Sequence, residues 1–234
     1  DTMFEFTMRE ARKAIPMIIE AGLVPMLTSS PGMGKSAMMK DIFDEYGLYM
    51  IDHRLSTSTP EDMTGLPRFV DSDVGGGTKA TFVPFDLFPL EGTPVPDNKE
   101  GFALFLDEFN SADKAVQAAS YKLILDRKVG QYDLNSKTVI VAAGNKMSDG
   151  AITQKLSTAM LSRLVHLVLK VDADEWIEDV AVPMKFDERV IAYIAYKKDA
   201  LMDFNPDSPD KNDKTFCCPR TWEFVSKMIK NIKS

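Results

Sequence analysis

Cysteine, histidine and tryptophan are scarce in this chain, with two of each in 234 residues. The cysteines, Cys217 and Cys218, are neighbours in sequence. Adjacent residues rarely meet disulfide geometry, and no CxxC pair or histidine cluster accompanies them, so neither a disulfide framework nor a zinc site organises the fold. They are expected as reduced thiols in a cytoplasmic protein. The histidines, His53 and His166, lie far apart in predicted strands, where packing or hydrogen bonding accounts for them better than metal binding or catalysis. No apolar run reaches the ~18 residues that a membrane span needs. No signal-peptide pattern is present, although the chain opens at Asp1 rather than at a methionine, which leaves a preceding leader open. Positive charge is in deficit: the formal net charge is −7. That balance argues against broad membrane or nucleic-acid binding without excluding a local basic patch.

The composition is that of a globular protein, with 44% hydrophobic and 27% charged residues. No repeat recurs at a fixed period. Residues 5–22 carry apolar side chains at helical spacing, with Pro16 expected to kink or shorten the helix and Gly22 to stop it. Residues 23–28 form a short apolar run, a candidate buried strand. A glycine-bearing turn at 29–34 and an amphipathic stretch at 35–46 follow, and residues 49–55 suggest a second strand. Segment 56–100 is rich in Pro and Gly and is expected to hold a helix start near 59–62, a hairpin between 66 and 84, and an irregular loop. Long irregular segments inside compact domains are often functional. Residues 101–106 (GFALFL) give the strongest buried-strand signal. A helix at 113–125, a hairpin arm at 128–134, and strands at 138–143 and 164–171 follow. Five such strands interleaved with helices predict an α/β fold with a parallel sheet covered on both faces. Residues 174–234 suggest a small helical lid, with helices at 187–202 and from 219 and a solvated Asp/Lys loop between them. The 14 methionines are expected mostly as core gap-fillers.

Three polar features interrupt this pattern. The first is Ser29-Ser30-Pro31-Gly32-Met33-Gly34-Lys35-Ser36. It follows G-x-x-x-x-G-K-[ST] with serine in place of the first glycine, and it stands between a strand and a helix as that motif requires. Gly32 and Gly34 let backbone N–H groups converge on phosphate oxygens, together with Pro31, Met33 and Ala37 around them, and the helix N-terminus adds partial positive charge. Lys35 is placed to reach the β- and γ-phosphates, and the Ser36 hydroxyl to bind Mg²⁺. The second is Asp107-Glu108, two carboxylates ending the most apolar run in the chain, at the end of a parallel strand where ligands gather. Asp107 suits Mg²⁺, and Glu108 suits activation of the attacking water. The third is Gly144-Asn145, which ends another strand. It is also a common turn pair, but its order after Asp107-Glu108 places Asn145 near the same water.

Taken in order, these motifs resemble AAA+ ATPases of the MoxR-like group, which are similar to the ATPase subunits of cobalt and magnesium chelatases. Ser30 to Ser36 resembles the family's Walker A and Phe105 to Asn110 its Walker B. Ala115 to Ala119 and Leu125 to Gly130 resemble the helix and hairpin that follow, Ala142 to Asn145 the sensor 1 strand, Leu156 to Leu164 the segment bearing the arginine finger, and Pro219 to Glu223 the sensor 2 helix. The resemblance implies a P-loop NTPase of AAA+ type: a three-layer αβα sandwich with a five-stranded parallel sheet over residues 1–173, a hairpin-bearing insert at about 56–100, and a helical lid at 174–234. It implies a Mg²⁺-dependent, ATP-hydrolysing ring, a homohexamer, with Arg163 acting on the neighbour's nucleotide and Arg220 reaching nucleotide from the lid, in its own subunit or the next. Departures are Ser29 for glycine, Ser111 where many relatives have arginine, and Leu164 for phenylalanine. The implied function is a chaperone-like motor that remodels a partner protein, one with a von Willebrand factor A domain. A metal-chelatase motor subunit, a nucleic-acid-dependent motor or loader, and a nucleotide-gated scaffold with very slow turnover are the alternatives.

Overall fold

The computed structural model describes residues 5–72, 74–145, 162–203 and 217–232. Its centre is a parallel sheet of six strands: β1 (Glu5–Thr7), β2 (Val24–Ser29), β3 (Leu48–Arg54), β6 (Gly101–Asp107), β9 (Thr138–Asn145) and β10 (Leu164–Lys170), in the spatial order β1-β10-β2-β9-β6-β3. The expectation of five strands is corrected here. Residues 5–7 are not the first turn of a helix but an edge strand in register with Val168–Lys170. A three-residue strand is too short to show an alternating pattern, and its pairing partner lies more than 160 positions away, so nothing local distinguishes it from helix.

The alternation along β6 divides the core. Leu104 and Leu106 pack on one face with Ile140, Ala142 and the helix α4 (Lys114–Asp126) through Val116, Leu123 and Ile124. Ala103 and Phe105 pack on the other with Val141, Ala143, Leu27 and two helices. These are α1 (Met8–Glu20), contributing Ala11 and Ile15, and α2 (Lys35–Glu45), contributing Met39, Ile42 and Phe43. Every residue of β6 is buried, which is why this strand reads as one continuous apolar run. Phe105 is fully buried, and its truncation to alanine should cost about 3–5 kcal/mol.

The Thr7 side chain caps α1 by accepting from the Glu10 N–H at 3.2 Å. The helix runs through Pro16 to Glu20, just before Gly22, the stop expected from the sequence. After β3, a capping box between Thr59 and Asp62 starts the short helix α3 (Pro60–Thr64). The insert then forms an antiparallel hairpin of β4 (Leu66–Asp71) and β5 (Thr78–Val83). A second small hairpin, β7 (Lys128–Val129) with β8 (Tyr132–Asp133), follows α4.

Beyond β10 the chain is helical: α5 (Ala173–Trp176), continued by a π-helical turn at Ile177–Ala181, then α6 (Glu188–Tyr196) and α7 (Pro219–Ile229). Trp176, Ala181, Phe186, Val190, Ile194 and Leu201 give this part its own apolar core. The expected loop at 203–215 and the segment 156–161 lie almost wholly outside the described residues, with Asp203 the one exception. Among the described residues no helix is long and apolar enough to cross a membrane.

Candidate functional site

The strand order creates the site. The chain leaves β2 for the far edge at β3, returns through β6 to β9 beside β2, and then crosses to β10 on the other side of β2. Such a reversal opens a crevice at the carboxyl ends of the strands. The loop after β2, the acids ending β6 and the asparagine ending β9 all meet there.

Gly34 stands at the start of α2 in the left-handed conformation (φ 89°, ψ 19°), and no side chain caps the helix. The first N–H groups of α2 are therefore without a capping side chain, as anion binding at a helix N-terminus requires. Gly32 is also left-handed, at φ 77°. A Cβ there would lie 2.5 Å from the Cys218 sulfur, so the start of α7 is seated directly on the loop. The Arg220 N–H donates to the Gly32 carbonyl at 3.2 Å, fixing the same contact through backbone.

Lys35 is buried and its Nζ lies 3.1 Å from Asp107 Oδ1. The same Nζ donates to Asn145 Oδ1 at 3.4 Å, and the Ser36 hydroxyl donates to Asp107 Oδ2 at 3.5 Å. Lys35, Ser36, Asp107 and Asn145, picked out separately in sequence, are thus one connected group. Glu108 adjoins it with a positive φ of 57°, a conformation costing about 1–2 kcal/mol for a residue with a side chain. Its N–H donates to Asp107 Oδ1 at 2.7 Å, and its Oε2 accepts a hydrogen bond from the Ser56 hydroxyl. Backbone strain of this kind is held only where surrounding contacts fix it, and it concentrates at functional sites.

Beside the loop is a cavity of about 560 Å³, within the usual size for a small-ligand site. Gly32, Met33, Gly34, Ser36, Ala37 and Arg220 line it, whereas Pro31 and Lys35 do not. Met8 of α1 and Trp176, Val180, Met184 and Phe186 of the C-terminal helical part also line it. Arg9 spans its margin to the lid, with Nη2 2.9 Å from both Glu178 and Asp179; these carboxylates raise the arginine pKa above its ordinary value.

Arg163 is not part of this group. Its carbonyl accepts from the Val24 N–H at 2.8 Å, which sets it at the amino ends of β2 and β10. The six residues of β2 separate it from the loop by roughly 20 Å. It is exposed.

Two residues that sequence reasoning missed belong here. Ser56, in a turn after β3, is one; a lone serine in a Ser/Thr-rich stretch carries no signal. Asp52 of β3 is the other. Its carboxyl pKa is raised by burial first and by the nearby Asp107 charge second. Burial likewise lowers the pKa of His53, whose Nε2 lies 2.6 Å from the Ser58 hydroxyl, and of His166. Neither histidine joins the site.

The donor set fits a hard divalent cation: Ser36 and Asp107 offer oxygen, which Mg²⁺ prefers. Among the described residues no cluster of three or more His, Cys, Asp or Glu forms a metal cage. A cation here would complete its shell from phosphate and water, as Mg²⁺ commonly does.

No family model matches the chain, and no curated protein matches it. Among solved structures it is similar to a "putative ATPase" from Cytophaga hutchinsonii, at 17% identity and a TM-score of 0.47, over 74% of this chain and 49% of that one. The chain thus spans about half the length of that protein, and a likeness at this level says nothing of its chemistry.

Proposed function

We propose that the chain is a Mg²⁺-dependent ATPase of AAA+ type, in the manner of the MoxR-like group. The observation that carries this reading is the single connected group of Lys35, Ser36, Asp107 and Asn145 beside an uncapped helix N-terminus, with Glu108 adjoining it. Phosphate binding, cation binding and water activation need these chemical types within one crevice.

Asp107 pairs with the Lys35 charge at 3.1 Å. Lys35 Nζ would bind oxygens of the triphosphate, and Ser36 and Asp107 would hold the cation. Mg²⁺, when bound, neutralises phosphate charge. The N–H groups at the start of α2 hold the phosphate chain, and the apolar lining at Trp176 and Met184 takes a face of the adenine ring. Asn145 orients water. Glu108 accepts the water proton as the oxygen attacks the γ-phosphorus, ADP leaves with the bridging oxygen, and inorganic phosphate forms. Arg163 serves the site of a neighbouring subunit, where a permanently charged guanidinium offsets charge on the transferred group. Its distance from its own phosphate loop supports a ring, for which we retain six subunits.

Hydrolysis drives motion that remodels a partner protein, one with a von Willebrand factor A domain. The β4–β5 hairpin supports a partner-facing role, because Phe69 is 77% exposed at its middle. The test is phosphate release with ATP and Mg²⁺. Wild-type protein should turn over, and Glu108→Gln should bind ATP with turnover reduced on the order of 100-fold or more. Equal phosphate release from the two proteins overturns the assignment of Glu108.

A further inference from the structure

Asn110 sits in the 3₁₀ turn Phe109–Ser111 that follows Glu108. Its side-chain amide donates to the Asn145 carbonyl at 2.7 Å, bridging the turn to the last residue of β9. The preceding residue on that strand is Gly144, buried and without a positive φ. A Cβ at 144 would lie 2.6 Å from Asn110 Oδ1 and 2.9 Å from its Cγ. The glycine is therefore needed for space and not for backbone freedom: the Asn110 amide lies against the bare strand. The turn that carries Asn110 is itself anchored, because the buried Gln117 amide donates to the Phe109 carbonyl at 3.1 Å.

We infer that Asn110 is a positioning residue for hydrolysis: by holding the Asn145 backbone against the turn that carries Glu108, it sets the Asn145 side chain relative to Lys35 and the attacking water. Gly144 is then the seat of the Asn110 amide, and Gly144-Asn145 is the end of a strand rather than a chain reversal. Asn145 ends β9, beyond the last β6–β9 pair, Leu106 with Ala142. On that side its carbonyl has no ladder partner, and the Asn110 amide supplies one. On the other side Ser29 is its register partner on β2. Held from both sides, the Asn145 amide oxygen is fixed 3.4 Å from Lys35 Nζ. Without Asn110 the β9 end gains freedom on the side nearest Glu108. Displacements of about 1 Å at such a group can cost up to 100-fold in rate.

This inference rests on the ATPase reading, and the experiment separates the two. Asn110→Ala removes the donor, and Gly144→Ala displaces it by occupying its seat; both should act through the same contact. Turnover should fall roughly 10-fold or more in Asn110→Ala, with affinity for a fluorescent ATP analogue within about 2-fold of wild type, because the phosphate loop is untouched. The double variant Asn110→Ala/Asn145→Ala should hydrolyse ATP no more slowly than Asn145→Ala alone, since both act on one group. In nucleotide-free protein labelled with ¹⁵N-asparagine, the Asn145 side-chain amide resonance should move in Asn110→Ala, and in the same direction in Gly144→Ala if that variant folds. An unmoved Asn145 resonance in Asn110→Ala, or a double variant slowed by the product of the single effects, overturns the inference. If the resonance moves but Asn145→Ala hydrolyses ATP at the wild-type rate, or the wild type hydrolyses none, the functional reading fails and the inference falls with it.

Discussion

The Ser56 hydroxyl donates a hydrogen bond to Oε2 of Glu108, joining the turn after β3 to the acid that follows β6. A carboxylate stabilised in this way is a weaker base, and it must loosen that bond to take a proton from water. Ser56→Ala is therefore expected to raise basal ATP turnover about 2- to 10-fold, the scale of one hydrogen bond to a charged group moderated by partial compensation from water. Steady-state phosphate release at saturating ATP measures it. Reduced turnover would mean that Ser56 aims Glu108 productively.

Gly32 should tolerate no side chain. Alanine there meets the Cys218 sulfur and must hold φ near 77°. The backbone part alone is about 1–2 kcal/mol. Nucleotide affinity of Gly32→Ala should fall, and Cys218→Gly in the same chain should restore part of the loss, since it removes the clash and leaves the strain. Calorimetric titration with ATP reads both.

Asp52 gives a pH dependence of stability. Its folded pKa lies above the ordinary carboxyl value, chiefly through burial. Between the unfolded and folded values the folded chain binds more protons than the unfolded one, so stability falls as pH rises through that window. Asp52→Asn should raise the melting temperature at pH 7, with the gain vanishing at a pH below the unfolded pKa, where the native carboxyl is protonated in both states. Differential scanning calorimetry across pH checks the sign.

Arg163 lies roughly 20 Å from the Gly32–Ser36 loop of its own chain, the span of β2. If it serves a neighbour, Arg163→Ala and Lys35→Ala proteins, each inactive alone, should regain turnover when mixed, because some interfaces then pair an intact loop with an intact arginine. Mixtures that stay inactive at every ratio count against action between subunits.

The parts of the site legible in sequence are those in which neighbours in the chain carry the chemistry. The loop Pro31–Ser36 encodes its conformation in two glycines, and Asp107-Glu108 stands out because β6 is buried throughout. Gly144-Asn145 was visible as a pair, but its conformation was ambiguous, because the reason for the glycine is Asn110, more than 30 residues earlier. Strand β1, Ser56, Asp52 and the apolar end of the cavity at Met8 and Trp176 depend on contacts between distant segments. Such contacts leave no local periodicity or composition to detect. The helix through Pro16 was legible from its apolar spacing, which buries Ala11 and Ile15 against the sheet.

The central claim is that the loop at Gly32–Ser36 holds a nucleoside triphosphate with Lys35 on its phosphates. Titration of a fluorescent ATP analogue, with and without Mg²⁺, into wild-type and Lys35→Ala protein tests it most directly. Saturable binding strengthened by Mg²⁺ in the wild type and weakened on the order of 100-fold or more in Lys35→Ala is the predicted result, the scale of a lost buried charge contact. Equal affinity in the two proteins, or none in the wild type, would contradict it.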